Sequence, residues 1–438
     1  MSSYMGTITD YGCIGGRLGH SFSGDIHAEI GRRLCERGLI DAPYDYRLQE
    51  LREDEIEAFF ARRAFRGINV TIPYKQTVIP FLDELTEAAQ VIGAVNTVVN
   101  RDGRLIGDNT DFYGMKTLLE QNGIEVRGKK VLILGTGGTS KTALAVAQSL
   151  GASEALRVSR RPQGEGEIAY SELGGHTDAG VILNTTPVGM YPDDESCSWP
   201  ASLDLARFEG LCGVADAVYH PLRTELVLAA RRAGARAVGG LGMLVAQAVA
   251  AAERFLGVRA PEALVGEIER VLTQRKQSVV LVGMPGCGKT TVGALLSERT
   301  GKALLDTDEE IKKTTGRSAE QHIKEKGESA FREVEAAVIR DCVAPLDGVI
   351  VATGGGAVLR DDTVRRLRRN GVLIFLDRPL ESLIATPDRP LSSDAESLRR
   401  RYEERHGRYE AVCDVKIEVA PGERPERTAE RVLQALNE

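Results

Sequence analysis

Short Val/Ile/Leu runs alternate along this chain with amphipathic stretches, the pattern of parallel strands covered by helices. Three blocks emerge. Residues 1 to about 110 hold the strand-like "INVTI" and "AVNTVVN", the latter followed by an "RDG" turn and "RLIGD", which predicts a hairpin. Residues 111–240 begin with a helix and continue as "KKVLILGTGGTSKTALAVAQSLGA", a strand, a glycine turn and a helix in immediate succession. Helices return over 241–276 after "GGLGM", and the last, "PEALVGEIERVLTQRKQ", places Pro261 in a helical first turn. "SVVLVG" then starts a fresh strand, and a short polar junction near Gln277 separates the last block, 278–438. The expected fold class is α/β throughout.

A length of 438 residues fits two or three cores at roughly one domain per 150 residues. A net charge of -7 argues against a general nucleic-acid binder, which needs a basic surface to displace counterions. The basic stretches "RRLRR" (365–369) and "LRRRYEERHGR" (398–408) read as solvated helix faces. Seven scattered cysteines (13, 35, 197, 212, 287, 342 and 413) form no CxxC pair, which suits reduced thiols in a cytoplasm. Neither they nor the six histidines have zinc-site spacing. The start lacks the pattern of a signal peptide. The longest apolar run, "LGMLVAQAVAAAERFLGV", is broken by Gln247 and Glu253 short of the ~20 residues a membrane span needs, so a soluble protein is expected.

After "VLIL", Gly135, Gly137 and Gly138 allow a turn tight enough for a pyrophosphate to rest on the amides, Thr139 among them, that open the next helix. The third glycine of a GxGxxG fingerprint is Ser140 here, and many such turns use glycine for packing alone. The next strand, "ALRVSRR", ends in Ser159, Arg160 and Arg161 where an NAD site would carry an acidic residue. A guanidinium pairs with a 2′-phosphate, which favours NADP(H). At about 1.5 to 3 kcal/mol for a charged hydrogen bond, one arginine supplies roughly ten- to hundredfold discrimination. The alternative is that these arginines are merely solvated at a strand end.

The ordered motifs "HSFSGDIH" (20–27), "GINVTIPYK" (67–75), "GAVNTVV" (93–99), "GDNTDFYG" (107–114), "NTTPVGM" (184–190) and "GMLVAQA" (242–248) resemble shikimate dehydrogenase over essentially residues 10–272. The resemblance implies reduction of the ketone of 3-dehydroshikimate by NADPH, in a cleft between two domains. These would be a substrate domain of residues 1–110, completed by the helices of 241–276, and a Rossmann domain of residues 111–240. It makes Lys75 and Asp111 the catalytic pair, and an ammonium there can stabilise and protonate the developing alkoxide. Ser21 and Ser23 would bind the substrate carboxylate, while Thr71, Asn96, Tyr219 and Gln247 would hold carboxylate or ring hydroxyls. Asn184, Thr185, Thr186 and Met243 would line the NADP side. The bland alternatives are helix capping for the serines and a surface ion pair for Lys75 and Asp111. Gly24 departs from the family's proline, and a freer loop would weaken carboxylate binding or broaden specificity, toward quinate for example.

"GMPGCGKT" satisfies GxxxxGK[ST] between a strand and a helical pattern, the context a phosphate-binding P-loop requires. The backbone of Gly283, Gly286, Cys287, Gly288 and Thr291 would cradle ATP with Lys289, and the Thr290 hydroxyl would coordinate Mg²⁺. "LLDTDEEI" reads as an extended segment in which Asp306 and Asp308 share one face. With "GESAFREVE" (327–335), "VATGGGAVL" (351–359), "ATPDRPL" (385–391) and "YEERHGRYEAVCD" (402–414), the order resembles shikimate kinase over residues 278 to about 420. That resemblance implies a P-loop domain of residues 278–438 with a parallel sheet. Asp306 would help hold Mg²⁺ through water, and Asp308 would be the base at the acceptor hydroxyl. Arg332 and Arg405 would clamp the shikimate carboxylate, and Gly354, Gly355 and Gly356 would let the backbone approach the ring. Arg389 would belong to a lid closing over ATP. The lid is short, and the basic residue often found just before it in that family has no equivalent near Ala385. A tight turn for "TGGGA" and an Arg332–Glu335 surface pair are the simpler readings.

The expected product of the front half is then the expected acceptor of the rear half. Two alternatives stay open: a quinate/shikimate dehydrogenase using NAD fused to the kinase, and a fusion in which one half only senses ligand.

Overall fold

The computed structural model describes residues 4–19, 21–191, 199–383 and 395–437. The chain divides into two units, Met1–His220 with Leu226–Leu272, and Pro221–Glu225 with Thr273–Glu438.

The first unit contains two six-stranded sheets. In the first, the order is Tyr46–Glu50, Tyr11–Gly15, Gly67–Val70, Thr97–Arg101, Arg104–Asp108 and Glu84–Leu85. Its first three strands run parallel and Thr97–Arg101 antiparallel to both neighbours. The predicted hairpin is present. Asp102 and Gly103 both adopt positive φ, 52° and 87°, the geometry that matches the right-handed twist of the flanking strands. Ile14, Ile68, Val70, Val98 and Leu105 pack from this sheet against Phe59, Phe60 and Phe65.

The second sheet is wholly parallel, ordered Arg236–Val238, Gly213–Asp216, Val181–Asn184, Lys130–Leu134, Glu154–Ser159 and Glu167–Ala169. Its central strand is apolar on both faces because helices cover both, and Val131–Leu134 are fully buried. The helix Leu241–Leu256 packs against Thr110–Gln121, where Gly114 permits close approach: a β-carbon there would lie 2.7 Å from the Met243 carbonyl. The final helix of this block spans Leu264–Lys276, so it starts three residues after Pro261. Pro261 instead begins the preceding turn, its carbonyl accepting from the Leu264 amide at 2.9 Å. Among the described residues no helix is long and apolar enough to cross a membrane.

The second unit has a five-stranded parallel sheet, ordered Leu304–Asp306, Ile350–Ala352, Ser278–Val282, Gly371–Asp377 and Val415–Glu418. Val279–Val282 and Leu373–Leu376 form the middle of its core. The six described cysteines are free thiols, and Cys197 lies outside the described residues.

Candidate functional site

In the first unit the Thr110–Gln121 helix carries Asp111 in its first turn, where unpaired amides and the helix dipole favour a carboxylate. Asp111 Oδ2 accepts from Lys75 Nζ at 2.5 Å, and its Oδ1 accepts from Asn96 Nδ2 at 2.8 Å. Asn96 is fixed in turn by the Thr110 amide, which donates to its Oδ1 at 2.7 Å, and its Nδ2 also donates to Gln247 Oε1 at 3.4 Å. Lys75 is 17% and Asp111 9% exposed, so the pair is an element of a buried network rather than a surface ion pair. Lys75 follows the strand Gly67–Val70 and a cis Ile72–Pro73 bond, and Thr71 lies between strand and turn with its amide donating to the Ile14 carbonyl.

Ser21 and Ser23 bracket the start of the helix Ser23–Glu36, their hydroxyls 3.0 Å apart, and the Ser23 amide donates to Ser21 Oγ at 3.2 Å. Phe22 between them packs on Tyr219, with ring centroids 5.1 Å apart. Burial pushes the Tyr219 phenol up to about 12. The Cys13 thiol connects the two groups of residues: burial pushes it up to about 12 against the pull of Lys75, and it also acts on Tyr219.

On the wholly parallel sheet, Gly135 has φ +109°, and a β-carbon there would press on Thr186 Cγ2 and Thr185 Oγ1 at 2.9 and 3.0 Å. Gly137 precedes the helix Gly138–Ser149, whose first turn includes Thr139 and Ser140; the Ser140 hydroxyl bonds the Gly137 carbonyl at 2.7 Å. Thr185 Oγ1 donates to the Leu134 carbonyl, and Thr186 to Asn184 Oδ1. Met243 is buried in the first turn of its helix. Ser159 ends its strand and accepts from the Arg161 amide at 3.1 Å, while Arg160 and Arg161 are exposed. Asp216, fully buried, anchors this region by accepting from Asn184 Nδ2 at 2.8 Å and from the Val218 amide at 2.9 Å.

In the second unit a cavity of about 340 Å³ brings together most of the kinase-like residues. Gly286, Gly288, Lys289, Thr290, Thr291, Asp306, Asp308, Arg332, Gly354, Gly355, Gly356 and Arg405 all line it. Gly283, Gly286 and Gly288 have φ of +144°, +84° and +101°, so the turn requires glycine for its backbone. Lys289 Nζ donates to the carbonyls of Gly283 and Met284 at 2.9 and 3.0 Å, and Cys287 Sγ lies 3.8 Å from it. Thr290 Oγ1 donates to Asp306 Oδ2 at 2.8 Å. A hydroxyl beside a carboxylate, facing a phosphate-gripping turn, is an all-oxygen donor set that fits Mg²⁺.

Asp306 and Asp308 do not share an extended segment. The strand ends at Asp306, which caps the helix Thr307–Thr315 by accepting from the Asp308 amide at 3.0 Å, and Asp308 sits in the helix's first turn. The capping preference of aspartate overrides the strand pattern. Gly354, Gly355 and Gly356 serve space rather than φ. A β-carbon on Gly354 would lie 2.6 Å from Glu335 Oε1, one on Gly355 2.9 Å from Pro285, and one on Gly356 would collide with the Arg332 guanidinium.

Arg332 donates to Glu335 at 2.6 Å and to Glu328 at 3.0 Å, and Arg405 donates to Glu328 at 3.1 Å and to the Gly355 carbonyl at 3.4 Å. Burial would raise Glu328, but Arg332, Arg401 and Arg405 outweigh it and hold the carboxyl below its ordinary range. Glu335 moves the other way, because burial raises it further than Arg332 lowers it. Burial also lowers Arg405. Arg389 lies outside the described residues, as do Ala385 and the rest of the predicted lid.

Sequence reasoning missed Arg401 and Glu328. Glu328 stands four residues before Arg332, a spacing that could have revealed it. Arg401 was concealed in a stretch expected to be solvated; yet Arg401 and Arg405 are 6% and 4% exposed, and Arg369 of the other basic stretch is 8% exposed. Their neighbours Arg400 and Arg365 do face solvent, so only part of each stretch is a solvated face. Asp216 carried no sequence signal, since its importance comes from the Asn184 side chain on the neighbouring strand.

Residues 13–98 match the family model of the shikimate dehydrogenase substrate binding domain, residues 240–265 that of the shikimate 5'-dehydrogenase C-terminal domain, and residues 285–437 that of shikimate kinase. A shikimate dehydrogenase (NADP(+)) from Carboxydothermus hydrogenoformans is 38% identical over 267 residues, covering 57% of this chain and 92% of the relative. Among solved structures, a chorismate mutase/shikimate 5-dehydrogenase fusion protein from Clostridium acetobutylicum is 34% identical with a TM-score of 0.54, over 61% of this chain and 97% of that one. The shikimate 5-dehydrogenase of Thermus thermophilus, solved in complex with NADP(H) and shikimate, is 29% identical with a TM-score of 0.52, over 60% and 99%. The chain belongs to the shikimate dehydrogenase family in its amino-terminal part and continues into a shikimate kinase domain, the make-up of a bifunctional shikimate-pathway enzyme.

Proposed function

We propose that the first unit reduces 3-dehydroshikimate with NADPH and that the second phosphorylates the shikimate so formed with ATP. The observation that carries this reading is the cavity of the second unit, which has a phosphate-gripping turn, a candidate base and paired guanidiniums on its walls. Those groups suit a small hydroxylated acid, and such an acid is what the Lys75–Asp111 site would release.

In reduction, hydride adds to the carbonyl carbon and negative charge develops on its oxygen. Lys75 stabilises that charge and delivers the proton, while Asp111, held by Asn96, keeps the ammonium aimed. Ser21 and Ser23 take the substrate carboxylate, and Thr71, Asn96, Tyr219 and Gln247 hold the carboxylate or ring hydroxyls, using groups that bring no buried charge. NADPH supplies the hydride. Gly135, Gly137, Gly138 and Thr139 would form its pyrophosphate seat, Thr185, Thr186 and Met243 would line the NADP side, and Arg160 and Arg161 beside Ser159 would meet its 2′-phosphate.

In the second step the 3-hydroxyl of shikimate attacks the terminal phosphorus of ATP, its proton passes to Asp308, and ADP leaves. Lys289 exchanges the Gly283 and Met284 carbonyls for phosphate oxygens. Mg²⁺, held near Thr290 and Asp306, would neutralise phosphate charge. Arg332 and Arg405 hold the acceptor carboxylate.

A coupled assay of the purified full chain with 3-dehydroshikimate, NADPH, ATP and Mg²⁺ tests the reading. It is expected to release one ADP for each NADPH oxidised. Absence of ADP release when shikimate itself is supplied would remove the kinase half; NADPH left unconsumed would remove the other.

A further inference from the structure

Gly24 stands two residues into the helix that Ser21 and Ser23 begin, and it is buried. Its φ is not in the left-handed region, so the backbone does not require glycine there. Space does. A β-carbon at Gly24 would overlap the Tyr4 ring at Cδ2 and Cγ and lie 2.9 Å from Tyr4 Cβ. Tyr4 reaches this place because its segment lies along the edge strand Tyr46–Glu50. The Leu48 amide donates to the Tyr4 carbonyl at 2.9 Å, the Gly6 amide donates to the Leu48 carbonyl at 3.0 Å, and Met5 bridges Leu48 in parallel register. The Tyr4 side chain packs on the same apolar cluster as Tyr11, Cys13, Leu18 and Tyr46.

We infer that Tyr4 is a positioning residue for the Ser21–Ser23 turn: its ring occupies the volume over Gly24 that a larger residue would fill, and so holds the two hydroxyls in place for the substrate carboxylate. The turn is then gripped from two sides, by Tyr4 over Gly24 and by Tyr219 against Phe22. Glycine at this position adds backbone freedom worth roughly twofold to fivefold in an equilibrium, and the aromatic ring removes it again. Tyr4 and Gly24 form a lock in which either partner alone is deleterious.

The inference rests on the proposed role of Ser21 and Ser23, and five full-length variants separate the two. Tyr4→Ala is expected to raise the KM for 3-dehydroshikimate about three- to tenfold, with kcat, the KM for NADPH and the kinase rate near wild type. Tyr4→Phe, which keeps the ring, is expected to stay near wild type in all four. Gly24→Pro alone is expected to raise the KM by steric conflict, since proline is otherwise at home in a helical first turn. Combined with Tyr4→Ala it is expected to bring the KM back toward wild type. All the substituted positions lie in the first unit, so retained kcat and KM for NADPH report its folding in each preparation. The inference is overturned if Tyr4→Ala lowers thermal stability without moving that KM, or if the double variant is no better than the worse single one. Ser21→Ala supplies the distinction: an unchanged KM there overturns the serine role and the inference with it, whereas a raised KM beside an inert Tyr4→Ala overturns the inference alone.

Discussion

In its proposed role Lys75 would serve a carbonyl only while its ammonium stays aimed, and a 2.5 Å contact to Asp111 keeps it so. Asp111 is itself held by Asn96 and by the helix terminus that presents it, so the geometry is set before substrate arrives. Removing the ammonium by Lys75→Ala is therefore expected to lower the turnover of reduction roughly 10²- to 10⁴-fold, the usual size of a proton donor's contribution. NADPH binding and the kinase rate should be unaltered. Steady-state rates of both reactions on one preparation check this; a loss below tenfold would mean that another group protonates the oxygen. The kinase arginines are a contrasting case. Arg332, Arg401 and Arg405 converge on Glu328, so their charge is shared with a carboxylate of the chain itself, and an acceptor bound there as proposed would join a network rather than fill a bare cationic pocket.

At the scale of elements, the helix Ser23–Glu36 carries proposed site residues at its start and a titratable group along its buried face. His27 is fully buried, stacked 3.7 Å from the Tyr46 ring, with Nδ1 2.7 Å from the Tyr44 hydroxyl. Burial pushes it down to about 3, from an ordinary value of 6.5. Between those values the unfolded chain binds the proton and the folded chain does not. Stability is complete above about pH 6.5 and falls as the pH drops, by up to about 1.4 kcal/mol per pH unit. Urea unfolding followed by Trp199, the only tryptophan of the sequence and a member of the first unit, should show this slope between about pH 6.5 and 5, where most carboxylates remain ionised. His27→Gln should flatten it; an equal slope in that variant would assign the titration elsewhere. The same elements show what a sequence reveals. The hairpin at Asp102–Gly103 and the turn at Gly283–Gly288 were legible because their backbone geometry demands particular residues at fixed positions. Arg401 was not, because helical periodicity marks faces but does not say which charged face a neighbouring carboxylate will draw inward. Asp306 and Asp308 misled for a related reason, since alternation describes a strand only until a side chain caps the helix that ends it.

For the whole molecule, the question is whether shikimate passes between sites without mixing with solvent. The helix Leu264–Lys276 runs into the strand Ser278–Val282 with only Gln277 between them, so the sequence at this junction has no insert that could roof a path. Mass action already couples the steps: phosphoryl transfer from ATP is effectively irreversible, and by consuming shikimate it draws the reversible reduction forward without any private route. Free exchange of the intermediate is therefore expected. With labelled 3-dehydroshikimate and a large excess of unlabelled shikimate, the labelled share of shikimate 3-phosphate should fall to the labelled share of the free shikimate pool. A labelled yield that the excess leaves undiminished would require the intermediate to be held, and a route for it would then have to be sought in the protein rather than in the thermodynamics of the second step.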